Sequence, residues 1–320
     1  MKPRRPTLEE IRHAAREIGE LVVHAPLVRY NGGSGEIWIK PEVHQPIGSF
    51  KLRGVLHAAM QMGPTRRAGG LSTVSAGNTA QAVAWAGRHF GVPARSIMPD
   101  TAPAEKVEAV RAWGGEPVLI PRAEVFRYMR GAGWRDDPYA FIHPWTDLDV
   151  ITGHATLGLE IVADCPAVDT VFVPVGGGGL LAGVGSAIKA LRPQVKLVAV
   201  EPEGCASLHA ALAHGGPVDV ACNTICDGVA VPYITHELFP LLRDLIDASV
   251  LVSEQDVRTE MKRLAMHNRW VAEGAAAAAV AMPVAQRGVS VSILSGGNVN
   301  ARLLAEILVD PDLSIPAMAR

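Results

Sequence analysis

The sequence predicts an α/β protein: two open, twisted, parallel-type sheets with helices on both faces. Three observations carry this. Short strand-like runs alternate with helical patterns in both halves of the chain. Residues 170–175 are almost continuously apolar, as a strand buried on both faces requires. Several strands end in turns of small residues, and ligands of such sheets collect at those ends.

The elements follow in order. Residues 7–20 have helical periodicity, with Thr7 as N-cap and Glu10 three residues on, a capping-box pattern. Residues 36–40 read as a strand, and Lys51 opens a helix that runs to Met62. Strands at 71–75, 96–99 and 117–120 then alternate with helices at 79–90, 104–113 and 123–129. The second half repeats the rhythm, with strands at 170–175, 196–200, 249–253 and 289–294. Its helices fall at 180–191, 254–266, 274–285 and 299–308. Two domains sharing one cleft is the simplest organisation, with residues 65–148 as the smaller unit and residues 1–64 plus 149–320 as the larger.

Composition narrows the class. With 320 residues, 48% of them hydrophobic, the chain can bury a large core. A net charge of −2 gives no electrostatic case for nucleic acid or an anionic membrane. The longest apolar run, 275–282, is too short and alanine-rich to span a bilayer, and residues 1–7 lack the apolar core of a signal peptide. A cytoplasmic protein is expected. Cys165, Cys205, Cys222 and Cys226 form neither a CxxC pair nor a zinc set with histidines. They are expected to be free thiols in a reducing compartment, with no metal. No GxSxG motif supports a hydrolase.

Four stretches carry chemistry. In Pro46-Ile47-Gly48-Ser49-Phe50-Lys51-Leu52-Arg53-Gly54, a lysine lies among small residues beside an aromatic. A lysine so placed can lose its proton and attack a carbonyl, the requirement for a Schiff base with pyridoxal phosphate. In Val173-Pro174-Val175-Gly176-Gly177-Gly178-Gly179-Leu180, four glycines join a strand to a helix and offer unhindered backbone N–H groups to a phosphate. This is neither a Walker A loop nor a dinucleotide fingerprint, because no Gly-Lys-Ser/Thr follows and Ala182 stands at the third glycine position. Ser75-Ala76-Gly77-Asn78-Thr79 offers N–H groups and hydroxyls to a carboxylate. Ser295-Gly296-Gly297-Asn298 ends the last strand with a hydroxyl suited to a ring nitrogen. Read alone, the Ser75 stretch is more simply a plain N-cap, and the Ser295 stretch reads equally well as an ordinary helix start.

Taken in order, these stretches resemble the threonine/serine dehydratase and serine racemase family, pyridoxal-phosphate enzymes of fold type II. Lys40-Pro41-Glu42, Met98-Pro99, Lys106-Val107, His143-Pro144-Trp145 and Ile225-Cys226-Asp227-Gly228 extend the resemblance over residues 20–308. It implies a homodimer with the cofactor in the cleft between a large domain and a small mobile one. Lys51 would hold pyridoxal phosphate, with Phe50 against its ring and Asn78 on its 3′ oxygen. Gly176, Gly177, Gly178 and Gly179 would hold the phosphate, and Ser295 would face the ring nitrogen. Ser75, Ala76, Gly77 and Thr79 would bind the substrate carboxylate, with Gly228 beside the cofactor or the substrate hydroxyl. The implied reaction is dehydration of a small β-hydroxy amino acid, such as L-threonine or L-serine, to a 2-oxo acid and ammonia.

The departures bear on the activity. Thr79 stands where many dehydratases have histidine, and threonine is seen there in the cysteine-synthase branch, so β-replacement is the competing chemistry. Ala76 occupies the place of the racemase serine, which argues against racemisation. Glu201 matches a metal ligand of some relatives, but Ser207 replaces its aspartate partner, so no metal is expected. His154 replaces a common glutamine. The same group handles 3-hydroxyaspartate, diaminopropionate and hydroxyectoine-derived compounds. A second carboxylate would need a cation in the cleft, for which Arg122, Arg127 and Arg130 are the candidates. A cofactor-binding regulator without turnover is the reading from another class.

Overall fold

The computed structural model describes residues 4–31, 36–281 and 288–315. Helix α1 (Leu8–Ile18) begins with the expected capping box, Thr7 and Glu10 bonding each other's backbone N–H. Strands β1 (Val28–Arg29) and β2 (Glu36–Pro41) precede α2 (Lys51–Gln61) and α3 (Gly63–Arg67). Then come β3 (Leu71–Val74), α4 (Asn78–Phe90), β4 (Ala94–Pro99), α5 (Ala104–Ala112), β5 (Glu116–Ile120), α6 (Arg122–Arg130) and β6 (Ala140–Phe141). The chain continues through α7 (Leu148–Asp164), β7 (Val168–Pro174), α8 (Gly179–Leu191), β8 (Lys196–Pro202) and α9 (Ser207–His214). It closes with α10 (Phe239–Leu245), β9 (Ala248–Val252), α11 (Glu254–Arg263), α12 (Gly274–Val280), β10 (Val289–Leu294) and α13 (Ala301–Val309).

The strands form two sheets. One is six-stranded in the order β1-β2-β10-β7-β8-β9, and the other four-stranded in the order β5-β4-β3-β6. All pairings are parallel except that of the edge strand β1 with β2. The four-stranded sheet draws only on residues 71–141. The central strands β7 and β8 are buried along almost their whole length, as their unbroken apolar runs require.

Helix α7 has no counterpart among the elements expected from periodicity. Eleven of its seventeen residues are buried, so it lacks the polar face that produces an amphipathic signal. Glycines let it approach its neighbours. A Cβ on Gly153 would meet the Gly54 Cα of α2 at 2.7 Å, and one on Gly183 of α8 would meet the Ile151 carbonyl at 2.5 Å. Helices α2, α7 and α8 are thus tightly stacked, and Lys51 is the first residue of α2. Helix α11 ends three residues earlier than expected, at Arg263, and passes into a π-helical turn (Leu264–Asn268). The expected helix over 274–285 is seen to Val280, and its end lies outside the described residues.

The cysteines depart from expectation. Cys205 and Cys222 are joined in a disulfide, while Cys165 and Cys226 are free and buried. The bridge links residues 17 apart in sequence, with Cα atoms separated by 4.5 Å, a pairing that spacing alone does not reveal.

Candidate active site

Two of the motif stretches are zipped together. Ser49 and Gly296 form an antiparallel bridge, flanked by hydrogen bonds from Phe50 N–H to the Ser295 carbonyl (3.0 Å) and from Gly297 N–H to the Gly48 carbonyl (2.9 Å). Asn298 adds a bond from Nδ2 to the Ile47 carbonyl at 2.8 Å. Gly48 has φ +72, and a Cβ there would press on Asn298 Oδ1 at 3.0 Å. The backbone therefore delivers Lys51 to the first position of α2 beside the carboxyl end of β10.

Burial is the chief cause that lowers the Lys51 ammonium pKa to about 8, and the Glu273 carboxylate opposes the shift. Its Nζ lies 4.8 Å from the Phe50 ring centroid and 3.5 Å from the Pro144 carbonyl oxygen. A lysine in this state can act as nucleophile and base near neutral pH. Arg53, two residues on, is fully buried and clamped by Glu42 (2.7 and 2.9 Å) and Glu160 (2.6 and 3.0 Å). That network fixes the first turn of α2. His154 of α7 packs on Phe50 at a tilt of 59°, with centroids 4.7 Å apart. It is wholly buried with neither ring nitrogen partnered, and burial together with Lys51 and Arg53 holds it neutral.

Asn78 and Gly296, the residue after buried Ser295, both touch Glu273. Asn78 Nδ2 donates to both oxygens of Glu273, and its Oδ1 accepts from Asn298 Nδ2 at 2.7 Å. The Ile47 carbonyl demands a donor from Asn298, and this fixes the order along the chain Ile47–Asn298–Asn78–Glu273. Glu273 was not singled out by the sequence. It is the N-cap residue of α12 and lies against Gly228 and Gly296. Burial first, then the Asp227 charge, raises its pKa to about 7. The one sequence signal is a glutamate before a glycine that opens an alanine run.

The glycine loop lies between β7 and α8. A Cβ at Gly176 would meet Val229 Cα at 2.8 Å, one at Gly177 would meet the Trp145 indole at 2.5 Å, and one at Gly179 would meet Trp145 Cα at 2.9 Å. Gly178 has φ +89. Glycine is thus required by a turn whose N–H groups open toward the N-terminus of α8. These features fit a phosphate-bearing cofactor, with the lysine amine and the phosphate cradle at the ends of neighbouring strands.

The remaining expected residues lie at the β3–α4 turn and across from it. Ser75 N–H bonds to Ile97 O, the Ser75 Oγ accepts from Gly77 N–H (3.1 Å), and a Cβ on Gly77 would meet open space. Thr79 is buried in α4. Gly228 sits in a 3-10 turn (Asp227–Val229), where Asp227 pairs with Lys106 of α5. Glu201 accepts backbone N–H bonds from Leu208 and His209, both at 2.8 Å, and so caps α9. A separate cleft of about 1710 Å³ is lined by His143, Thr146, Trp134, Arg130 and Tyr233 among others, and none of Lys51, Asn78, Ser295 or the glycine loop lines it. Arg130 is held there by both oxygens of Asp219 (2.8 and 3.0 Å) and lies over the Tyr233 ring.

A buried lysine of lowered pKa, an asparagine relay and a glycine phosphate cradle, at the strand ends of two parallel sheets, define a pyridoxal-phosphate enzyme. The chain belongs to the family described as pyridoxal-phosphate dependent enzyme, whose model matches residues 19–296. It is 36% identical over 315 residues to an L-threonine ammonia-lyase of Thermotoga maritima, covering 94% of this chain and 78% of that one. The crystal structure of a T.th. threonine deaminase superposes with a TM-score of 0.83 at 32% identity, covering 92% of this chain and 99% of that one. Maize serine racemase superposes with a TM-score of 0.87 at 28% identity, covering 95% and 97%. Among the described residues no helix is long and apolar enough to cross a membrane.

Proposed function

We propose that the protein is a pyridoxal-phosphate-dependent dehydratase (ammonia-lyase) that converts a small β-hydroxy amino acid, such as L-threonine or L-serine, to a 2-oxo acid and ammonia. The observation that carries this reading is Lys51, a buried amine of lowered pKa at the head of α2, in a chain with L-threonine ammonia-lyase relatives. When bound, the cofactor supplies the electron sink that makes the substrate Cα proton removable. The chain's own residues do the rest. Lys51 takes the Cα proton as general base. The turn Ser75, Ala76, Gly77 and Thr79 orients the substrate carboxylate on backbone N–H groups. Asn78, held by Glu273 and Asn298, would give the 3′ oxygen an amide proton that it now shares with Glu273, and Phe50 would back the ring. Gly176 to Gly179 would hold the phosphate, and the neutral hydroxyl of Ser295 would serve the ring nitrogen. A hydroxyl would stabilise a protonated ring less than a carboxylate would, which suits a reaction that expels the β-hydroxyl promptly.

Arg130 supports a substrate without a second carboxylate, because Asp219 already neutralises it. Residues 65–148 would move as the small domain, with Arg130–Asp219 and Lys106–Asp227 as contacts across the cleft. A cytoplasmic homodimer goes with the resemblance, although the Cys205–Cys222 disulfide weighs against a strongly reducing compartment. The test is release of 2-oxobutyrate from L-threonine and pyruvate from L-serine, with and without sulfide. Oxo-acid formation unaffected by sulfide supports dehydration. Cysteine formation in its place identifies β-replacement, the chemistry associated with Thr79.

A further inference from the structure

We infer that the indole N–H of Trp145 is a side-chain donor to the cofactor phosphate, added to the backbone donors of the glycine loop. The inference rests on the cofactor reading above. The Trp145 Nε1 atom is buried and has no hydrogen-bond partner, and an indole nitrogen can only donate. Leaving such a donor buried and unmade is costly, so its position calls for an acceptor. The indole lies directly on the loop. A Cβ on Gly177 would strike the ring at 2.5 Å, and one on Gly179 would strike Trp145 Cα at 2.9 Å, so the loop is in direct contact with both the ring and the backbone of Trp145.

The ring is also held in place. His143 Nδ1 accepts the backbone N–H groups of Trp145 (3.4 Å) and Thr146 (3.2 Å), which closes the turn after β6. The two rings meet edge to face, with centroids 4.9 Å apart at 88°. Burial lowers the His143 pKa to about 4, so this imidazole is neutral at physiological pH and does not itself supply a charge to the phosphate. On the other side, the Pro144 carbonyl faces Lys51 Nζ. The short segment 143–145 therefore touches both the amine, through the Pro144 carbonyl, and the glycine loop, through the Trp145 ring that carries the orphan donor. A phosphate dianion is the acceptor that fits, because hydrogen bonds to an ionised acceptor are the strong ones.

The test compares two ligands of the apoprotein, pyridoxal phosphate and pyridoxal, by the visible absorbance of the bound forms. In Trp145→Phe, which keeps an aromatic ring and removes the N–H, pyridoxal phosphate should bind about 10- to 100-fold more weakly, with pyridoxal binding changed less than about 3-fold. Equal weakening of both ligands would mean that Trp145 only packs, and unchanged binding of both would also overturn the inference. If Trp145→Phe does not fold, the wild type still decides. The buried indole N–H resonance of the apoprotein should move downfield when inorganic phosphate or pyridoxal phosphate is added and stay put with pyridoxal. An indole resonance indifferent to phosphate would overturn it. A wild type that binds pyridoxal phosphate no better than pyridoxal would instead remove the cofactor reading itself.

Discussion

Asn78 at the start of α4 donates its amide to both carboxylate oxygens of Glu273 at the start of α12, at 2.9 and 3.0 Å, and so joins the four-stranded unit to the six-stranded one at the active site. The bond makes two groups interdependent. Asn78 keeps its nitrogen on Glu273 while Asn298 donates to its Oδ1.

Glu273 gives the apoprotein a pH-dependent stability. Its folded pKa of about 7 lies above the usual 4.5, so the native state binds the proton more tightly than the unfolded chain. Stability contributed by this group is therefore lost as pH rises from about 4.5 to about 7, and the penalty persists above that. Glu273→Gln removes the titration and should stabilise the apoprotein by about 1–3 kcal/mol more at pH 8 than at pH 5, read from urea unfolding. A difference independent of pH would contradict the assignment.

Lys51 titrates in the opposite sense. Its folded pKa of about 8 is below 10.5, so the charged form is penalised at low pH and the penalty is relieved as pH rises from about 8 to 10.5. The neutral amine is the nucleophile. Capture of pyridoxal phosphate by the apoprotein should accelerate with pH and level off above about 8, measured by stopped-flow absorbance. Capture rates flat from pH 6 to 9 would place the controlling group elsewhere.

Arg53 is wholly buried between Glu42 and Glu160. Removing one partner of a buried ion pair leaves the others uncompensated, at a cost of about 3–5 kcal/mol. Arg53→Ala should lose that much in denaturant unfolding. Arg53→Lys should lose less but still measurably, since an ammonium cannot reproduce the forked bonds to two carboxylates.

The Cys205–Cys222 bridge anchors the segment that carries Asp219 and leads into Asp227 and Gly228. Closing a loop of this length contributes about 3 kcal/mol. Cys222→Ser should lower the melting temperature, and dithiothreitol should lower that of the wild type by a similar amount while leaving the variant unchanged. A wild type insensitive to reductant, with four titratable thiols, would show that the pair is not bridged in solution.

Much of the site was legible because it is written in local backbone chemistry. Gly48, Gly176 to Gly179 and the residues around Asn78 must be small or specifically polar where the chain turns toward a ligand, and sequence displays such turns directly. Alternating strands and helices likewise announced both sheets. What stayed hidden depends on distant partners. Glu273 acquires its role 195 residues from Asn78, and its neighbours in sequence are Ala272 and Gly274. Helix α7 is buried on most sides and carries no amphipathic period. The disulfide joins two cysteines in an irregular segment whose path only the fold defines.

The central claim is that Lys51 is the amine that holds the cofactor. Borohydride reduction of the pyridoxal-phosphate-loaded wild type, followed by proteolysis and mass spectrometry, tests it most directly. The account predicts a single phosphopyridoxyl label on Lys51, loss of the yellow colour and of oxo-acid release on reduction, and no label in Lys51→Ala. A label on another lysine, or an unlabelled protein that still releases oxo acid from L-threonine, would contradict it.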